Sequence, residues 1–444
     1  MNLTPFRAAA MALLISGTMM SATGIAQDTT EEQVTPRSAD EIYSDLRLFG
    51  EVFDRIRAEY VEIPDEKELI RAAIQGMLSS LDPHSGYLDP VSYEDVREDT
   101  SGKFGGLGIE VTMEEGVIKV VSPIDETPAA KAGILSNDLI VALDGKQVFG
   151  MTLDEAIDIM KGEVGTKIDL SVVREGADDL LEFTLTRDII ALRAVRWYIE
   201  RDVGVMRLSR FSEQAYTGIE KAVRDIFDER DGVSPKGLIL DLRNNPGGLV
   251  DQAVFVSDAF LGRGSVVLTR GRLEEESARY DAQADDLDRS IADIPLIVLI
   301  NGGSASAAEI VAGALQDHKR ATIVGTRSFG KGSVQSIISL GPDGAIKLTT
   351  SRYFTPNNRS IQAAGIEPDI QVFQDIPEEF KGRDEIIGEA ALDGHIDGGT
   401  KEEATTGSSV YVPSDREKDN QLIFAVALIN GEETDPAFPP NPEE

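Results

Sequence analysis

Cysteine is absent from all 444 residues, which removes a thiolate nucleophile, a thiolate metal site and any disulfide at once. Histidine is nearly absent as well. His84, His318 and His395 stand far apart and in none of the zinc-peptidase spacings, so neither a metal nor another cofactor is expected. Positive charge is scarce: 43 Lys and Arg face 78 Asp and Glu, and the formal net charge is −35. A phosphate backbone needs the opposite sign, so nucleic acid is not an expected partner. Such an acidic surface ordinarily serves solubility. Long apolar runs are missing too. Residues 8–15 form one such run, well short of the ~20 residues that a membrane span needs.

That short run lies behind Arg7 and ahead of the small residues Gly24 and Ala26, the pattern of a signal peptide over residues 1–26, cut before Gln27. With no cysteine at the cut, a lipid anchor is excluded. The expected place of work is outside the cytoplasm, in the periplasm, soluble or peripheral to the membrane.

The remaining length suits two or three domains. Over residues 27–101, Ile42, Leu46, Phe49, Val52, Phe53 and Ile56 recur at helical spacing, and a second helix is predicted over 66–81. Residues 102–188 have a different rhythm. Thr127-Pro128 opens a short helix that Gly133 closes; a strand over 139–143 runs into an Asp144-Gly145 turn; Thr152 and Glu155 make a capping box; two alternating strands follow. Over 189–376, strands predicted at 203–208, 238–242 and 296–300 alternate with helices at 213–229, 249–260 and 306–317, an α/β layered order. The acid-rich stretch 272–290 reads as an exposed loop. Residues 377–444 hold a linker-like stretch at 398–408, an amphipathic helix over 415–429 and a Pro- and Glu-rich end expected to be disordered.

Ligand sites in α/β layers gather at the carboxyl ends of strands. Two such ends are unusual here. Asp241-Leu242-Arg243-Asn244-Asn245-Pro246-Gly247-Gly248 ends in a turn that lets backbone N–H groups approach a ligand. Asn301-Gly302-Gly303-Ser304-Ala305-Ser306-Ala307-Ala308-Glu309 turns from strand into helix, where free N–H groups and the helix dipole suit an oxyanion hole. Taken alone, a serine in such a turn is ordinarily a cap, and Ser304 is chemically as suitable as Ser306. His318 lies roughly 18 Å along the helix and cannot serve Ser306 as a base. A buried lysine can, because burial favours the neutral amine. Lys331, in Phe329-Gly330-Lys331-Gly332-Ser333-Val334-Gln335, is the candidate, although a lone lysine between glycines is ordinarily a surface residue.

Taken together, 241–248, 301–310 and 329–335 resemble the C-terminal processing peptidases, the tail-specific proteases, in order and spacing. Lys331 follows Ser306 by 25 positions, as in that family's dyad. Gly106-Leu107-Gly108-Ile109 resembles the carboxylate-binding loop of a PDZ domain, and Leu81-Asp82-Pro83-His84-Ser85 and 365–370 resemble further family blocks. The resemblance spans roughly 40–375. It implies an α/β fold with a crotonase- or ClpP-like layered catalytic core (189–376), an inserted PDZ domain (102–188) and helical segments at both ends. It implies Ser306 as nucleophile, Lys331 as general base, Gln335 orienting the lysine, and an oxyanion hole from Ala307 with Gly247 or Gly248. Glu309 and Arg243 are expected to hold the framework. For Gln335 to meet Lys331 the chain must bend, since four residues of extended strand span about 13 Å. The implied activity is serine endopeptidase cleavage of proteins at or near their C-termini. The PDZ domain would bind the substrate's C-terminus and gate the site. The family leaves room for an activating or adaptor protein, and the terminal helices offer surfaces for a homo-oligomer. A catalytically silent PDZ scaffold is the alternative; an acyl-CoA enzyme is disfavoured by the export signal.

Overall fold

A computed structural model describes residues 37–440 except 115, 178, 274, 276 and 400–406. The segment read as a signal peptide, 1–26, lies outside the described residues. The chain divides into two units at Leu69/Ile70.

In the first unit the helix Ala39–Glu59 opens on a full capping box between Ser38 and Glu41 and carries Arg57 in its last turn. Ile42, Leu46, Phe49 and Val52 lie on it at helical spacing, and all are exposed. Arg57 pairs with Glu66 at 2.6 Å. The second predicted helix is Glu66–Ser79.

The second unit has three layers of organisation. Five antiparallel strands, Ile109–Glu114, Val117–Pro123, Leu139–Leu143, Lys167–Val173 and Leu181–Thr186, follow one another in the sheet in that order. They enclose Ile118, Val120, Ile140, Leu143, Ile168, Leu170 and Val172 with the helix Leu153–Met160, whose Thr152–Glu155 capping box forms as predicted. Thr127 precedes the helix Pro128–Ala132 but does not cap it; its hydroxyl goes instead to the carbonyls of Ile124 and Gly108. The strand Lys103–Gly106 pairs with Asp188–Ala191, so both ends of this insertion leave it side by side.

The larger body is built on the strands Val195–Glu200, Val203–Leu208, Gly237–Asp241, Leu296–Ile300, Thr322–Gly325 and Ile370–Gln371, antiparallel in the first pair and parallel thereafter. The period-2 alternation of strands sorts their side chains between two cores. Leu296, Val298 and Ile300 face the helices Ala215–Glu229, Val250–Asp258 and Ala307–Asp317, while Ile297 and Leu299 face the C-terminal helix Asn420–Asn430. Beside this lies an antiparallel sheet of Gly86–Leu88, Ala345–Phe354, Arg263–Gly271 and Ala278–Gln283, with Ser333–Ser339 also pairing onto Ala345–Phe354.

Three local readings are corrected. The helix Pro90–Ser101 went unread, although Asp89 caps it and Pro90 sits at its first turn. The acid-rich stretch is not only loop: it contains the strand Ala278–Gln283 and the helix Asp286–Ile291, because Ile291 and Ala282 give it enough apolar surface to join the core. The Pro-rich end is held through Pro440, with Phe438 packed on the second core and the Thr322 hydroxyl donating to the Ala437 carbonyl at 2.7 Å. Among the described residues, no helix is long and apolar enough to cross a membrane.

Candidate active site

Two strand ends meet at the site. Asn244 and Asn301 exchange hydrogen bonds: the Asn244 N–H donates to Asn301 Oδ1 and Asn301 Nδ2 donates to Asn244 Oδ1, both at 2.9 Å. The Ala305 N–H reaches the Asn245 carbonyl at 2.9 Å. This lock fixes the turn after Gly237–Asp241 against the turn after Leu296–Ile300.

The lock separates the two serines. Ser304 is fully buried; its hydroxyl donates to the Leu242 carbonyl at 2.9 Å and accepts from the Asn301 N–H at 3.0 Å. Its oxygen is consumed by the framework. Ser306 sits at φ 55°, ψ −112°, a conformation that costs a residue with a Cβ on the order of 1–3 kcal/mol, and its side chain makes no cap hydrogen bond. The helix Ala307–Asp317 begins directly after it. The buried Tyr353 phenol interacts with the Ser306 side chain, and burial pushes that phenol well above its usual range.

Gly247 and Gly248 have φ of +100° and +141°. A Cβ on Gly247 would stand 2.9 Å from Ser306 Cβ and 3.1 Å from the Ala307 nitrogen, so the Pro-Gly-Gly turn touches Ser306 closely enough to exclude any other residue. The two glycines differ as donors. The Gly247 N–H is spent on Asn245 Oδ1 at 2.9 Å. The N–H groups of Gly248 and Ala307 have no partner among the described residues.

Glu309 organises the other side. It is fully buried, and its carboxyl accepts from Ser328 Oγ (2.6 Å), the Gly330 N–H (2.7 Å), the Ser306 N–H (2.7 Å) and the Lys331 N–H (2.9 Å). The last two bonds end on the same oxygen, Oε2, so the Ser306 and Lys331 backbones hang from one atom. Burial pushes this carboxyl up to about 7 against those four bonds, which favour the anion. Lys331 is largely withdrawn from solvent. Burial, then the nearby Lys347, push its ammonium below the ordinary lysine range, opposed by Glu389, Glu309 and Asp82. Its Nζ makes no hydrogen bond among the described residues, and none joins it to Ser306. Gln335 Nε2 donates to Ser333 Oγ (3.0 Å) and Thr349 Oγ1 (3.3 Å), not to Lys331, and the bend expected before it is a strand irregularity between Val334 and Gln335.

In the insertion that begins and ends with the paired strands Lys103–Gly106 and Asp188–Ala191, Gly108 has φ +76° and a Cβ there would lie 2.3 Å from Thr127. The carbonyls of Leu107 and Gly108 are bonded, to the N–H groups of Ala129 (3.0 Å) and Ile124 (2.8 Å), while their own N–H groups have no partner among the described residues. Gly106 ends the strand before this loop and Ile109 begins the next.

Sequence reading missed Gln362 and Glu389, both buried behind the lysine loop. They lie at large sequence separations from His84 and Gly332, which they bond, so no local spacing marks them.

Glu309→Gln is expected to lower stability by about 2–4 kcal/mol, because one face of the carboxamide presents N–H groups to N–H donors. The folded-state pKa lies above that of free glutamate, so the carboxyl's contribution is full below about 4.5 and is lost as pH rises through about 7. The variant's deficit should therefore shrink over that interval in denaturant titrations. A deficit that grows with pH would mean that the hydrogen bonds, not burial, govern the group.

Residues 202–372 match peptidase family S41, residues 105–185 a PDZ domain, and residues 9–91 the N-terminal domain of the activating protease CtpB. The chain is 51% identical to the carboxy-terminal-processing protease of Bartonella bacilliformis over 97% of this chain and 98% of that one. It is 33% identical to the carboxy-terminal processing protease CtpA of Bacillus subtilis over 78% of this chain and 72% of that one. A solved photosystem II D1 C-terminal processing protease is 29% identical, with a TM-score of 0.42 over 74% of this chain and 93% of that one. The chain thus belongs to the carboxy-terminal-processing proteases of peptidase family S41, serine-type peptidases, and carries a PDZ domain.

Proposed function

We propose that this chain is an exported endopeptidase that cleaves proteins at or near their C-termini with Ser306 as nucleophile and Lys331 as general base. The observation that carries the reading is the single carboxylate oxygen of Glu309 that holds the backbone N–H of both residues, at 2.7 and 2.9 Å. Neutral Lys331 takes the Ser306 proton, and the alkoxide attacks the peptide carbonyl. The oxyanion meets the N–H groups of Ala307 and Gly248, with Gly247 supplying the close approach rather than a donor. Lys331 then gives its proton to the leaving amine, and water releases the acyl-enzyme. The described Ser306 and Lys331 side chains are not bonded, so this is a resting arrangement that closes on substrate, with Gln335 turning its carboxamide oxygen to the ammonium. The PDZ domain binds the substrate's C-terminal carboxylate on the N–H groups of Leu107 and Gly108 in the loop from Gly106 to Ile109, with strand addition beside Ile109–Glu114. An activating or adaptor protein and a homo-oligomer built on the terminal helices belong to the same proposal. Export rests on residues 1–26.

A fluorophosphonate probe tests the nucleophile without knowledge of the substrate. Peptide mapping is expected to find the label on Ser306. Because burial holds Lys331 below the ordinary lysine value, the labelling rate should rise with pH and level off below 10.5. Label on Ser304, or none while an unfolded protein is still degraded, would sink the assignment.

A further inference from the structure

We propose that the half-buried His84 and the buried Glu389 and Gln362 form a positioning unit that sets where Lys331 stands and how firmly it holds its proton. The inference rests on the dyad proposed above.

The unit begins at Glu389, which is 1% exposed. His84 Nε2 lies 2.9 and 2.8 Å from its two carboxylate oxygens, and Gln362 Nε2 donates to Oε1 at 2.9 Å. A carboxylate at this depth is tolerated only when its oxygens are paired, so the three side chains constrain one another. From there the contacts run to the lysine loop. Gln362 Oε1 accepts the Gly332 N–H at 3.0 Å, the Glu389 N–H donates to the Phe329 carbonyl at 3.0 Å, and the Ala363 N–H donates to the Gly330 carbonyl at 2.8 Å. A Cβ on Gly332 would lie 2.2 Å from the Gln362 nitrogen, so loop and unit meet backbone to backbone. Glu309 holds the opposite side of the loop.

His84 reaches the unit from a turn that also governs Gln335. Asp82 Oδ1 accepts the N–H groups of His84 and Ser85, both at 2.8 Å, and the Thr349 hydroxyl at 3.1 Å; Thr349 Oγ1 in turn receives Gln335 Nε2. The one turn therefore aims the histidine at Glu389 and fixes the anchor of the residue proposed to orient the lysine. Four charges bear on Lys331: Lys347 from the strand Ala345–Phe354 disfavours its proton, whereas Glu389, Glu309 from the serine helix and Asp82 from the turn favour it. Of the three acids, Glu389 alone is bonded to a histidine and to a side chain that holds the next peptide of the loop.

The test is the pH profile of kcat and KM on an unfolded protein substrate, for the full mature chain and its variants. Glu389→Gln keeps the shape and removes the charge. It is expected to lower kcat about 10- to 100-fold with KM little changed, the scale of a misplaced catalytic group. It should also move the acid limb to lower pH, because an attraction that holds the Lys331 proton is gone. Lys347→Met should move the same limb to higher pH. If Glu389→Gln does not fold, His84→Phe replaces it: Glu389 keeps only its Gln362 bond, and a lower kcat with a displaced acid limb is expected. A lower kcat with an unmoved limb would reduce the unit to packing and overturn the proposal, as would the parent's kcat and limb together. Activity in Lys331→Ala would overturn the dyad itself, whereas a dead Lys331→Ala beside an unmoved Glu389→Gln limb overturns this inference alone.

Discussion

Ser306→Ala is expected to lower hydrolysis of an unfolded protein on the order of 10⁶-fold, and Lys331→Ala by a similar factor, with no further loss when the two are combined. Nucleophile and base act as one unit, so removing either removes the covalent route. Non-additivity is therefore the signature to seek, in initial rates of the two single variants and the double variant. Neither loss should come from unfolding. The Ser306 side chain makes no cap hydrogen bond, and alanine inherits the same backbone strain. Lys331 has a folded-state pKa below its unfolded value, so its ionised form costs stability at neutral pH, a cost that shrinks as pH rises toward 10.5. Alanine removes that cost. Ser304→Ala should behave in the opposite way. It loses two buried hydrogen bonds and on the order of 1–3 kcal/mol of stability, while the protein that remains folded keeps cleaving. Undiminished proteolysis in Ser306→Ala would end the assignment.

These expectations draw unequally on sequence and structure. Some elements were legible from local pattern: the strands 203–208 and 296–300, buried on both faces, are continuous apolar runs, and the helix 153–160, buried on one face, shows helical spacing. Ser306 and Lys331 were legible only through the resemblance, since by chemistry Ser304 and Ser306 could not be told apart. What separates them is the Leu242 carbonyl, 62 residues from Ser304 in the chain and 2.9 Å away in space. The same holds for Gly247 and Gly248. Which of them has a free N–H depends on the rotamer of Asn245, and no spacing rule encodes that. The helix Pro90–Ser101 was missed for a different reason. Its capping signals, Asp89 and Pro90, were present, but no residue of it is buried and its apolar face is too weak to be read. His84 was read only as part of a block that resembles the family, and Gln362 and Glu389 were missed, because His84 and Glu389 are 305 residues apart and their pairing leaves no local pattern.

Arg243→Ala is expected to cost about 3–5 kcal/mol and to loosen the C-terminal helix, the largest stability effect that a single side chain here should produce. Arg243 is 2% exposed and donates to both oxygens of Asp241 (2.9 and 2.8 Å), both oxygens of Asp419 (both 2.8 Å) and Gln421 Oε1 (3.0 Å). Asp419 is also the N-cap of Asn420–Asn430, whose Leu422, Ala425 and Val426 close the second core. Truncation leaves two carboxylates buried with far too little positive charge, since Arg207 reaches only Asp241, at 3.2 Å. Lysine in its place keeps the charge but not the fork that serves two carboxylates, so Arg243→Lys should recover only part of the loss. The pH dependence follows with its sign. Burial alone would raise Asp241, but Arg243 and then Arg207 more than reverse it and hold the carboxyl below its usual range. That stability is present above about 3.8 and disappears as pH falls through the folded-state value. The deficit of Arg243→Ala should therefore be greatest near neutral pH and narrow as Asp241 takes up its proton. Denaturant titrations at pH 7 and below pH 3.8, with hydrogen exchange over 420–430, would measure both parts. A loss under about 1 kcal/mol at neutral pH would show that the pair holds geometry rather than stability. Activity should fall with the helix, because Arg243 lies at the head of the turn that ends in Gly247 and Gly248, and those glycines need a fixed strand end to meet Ser306.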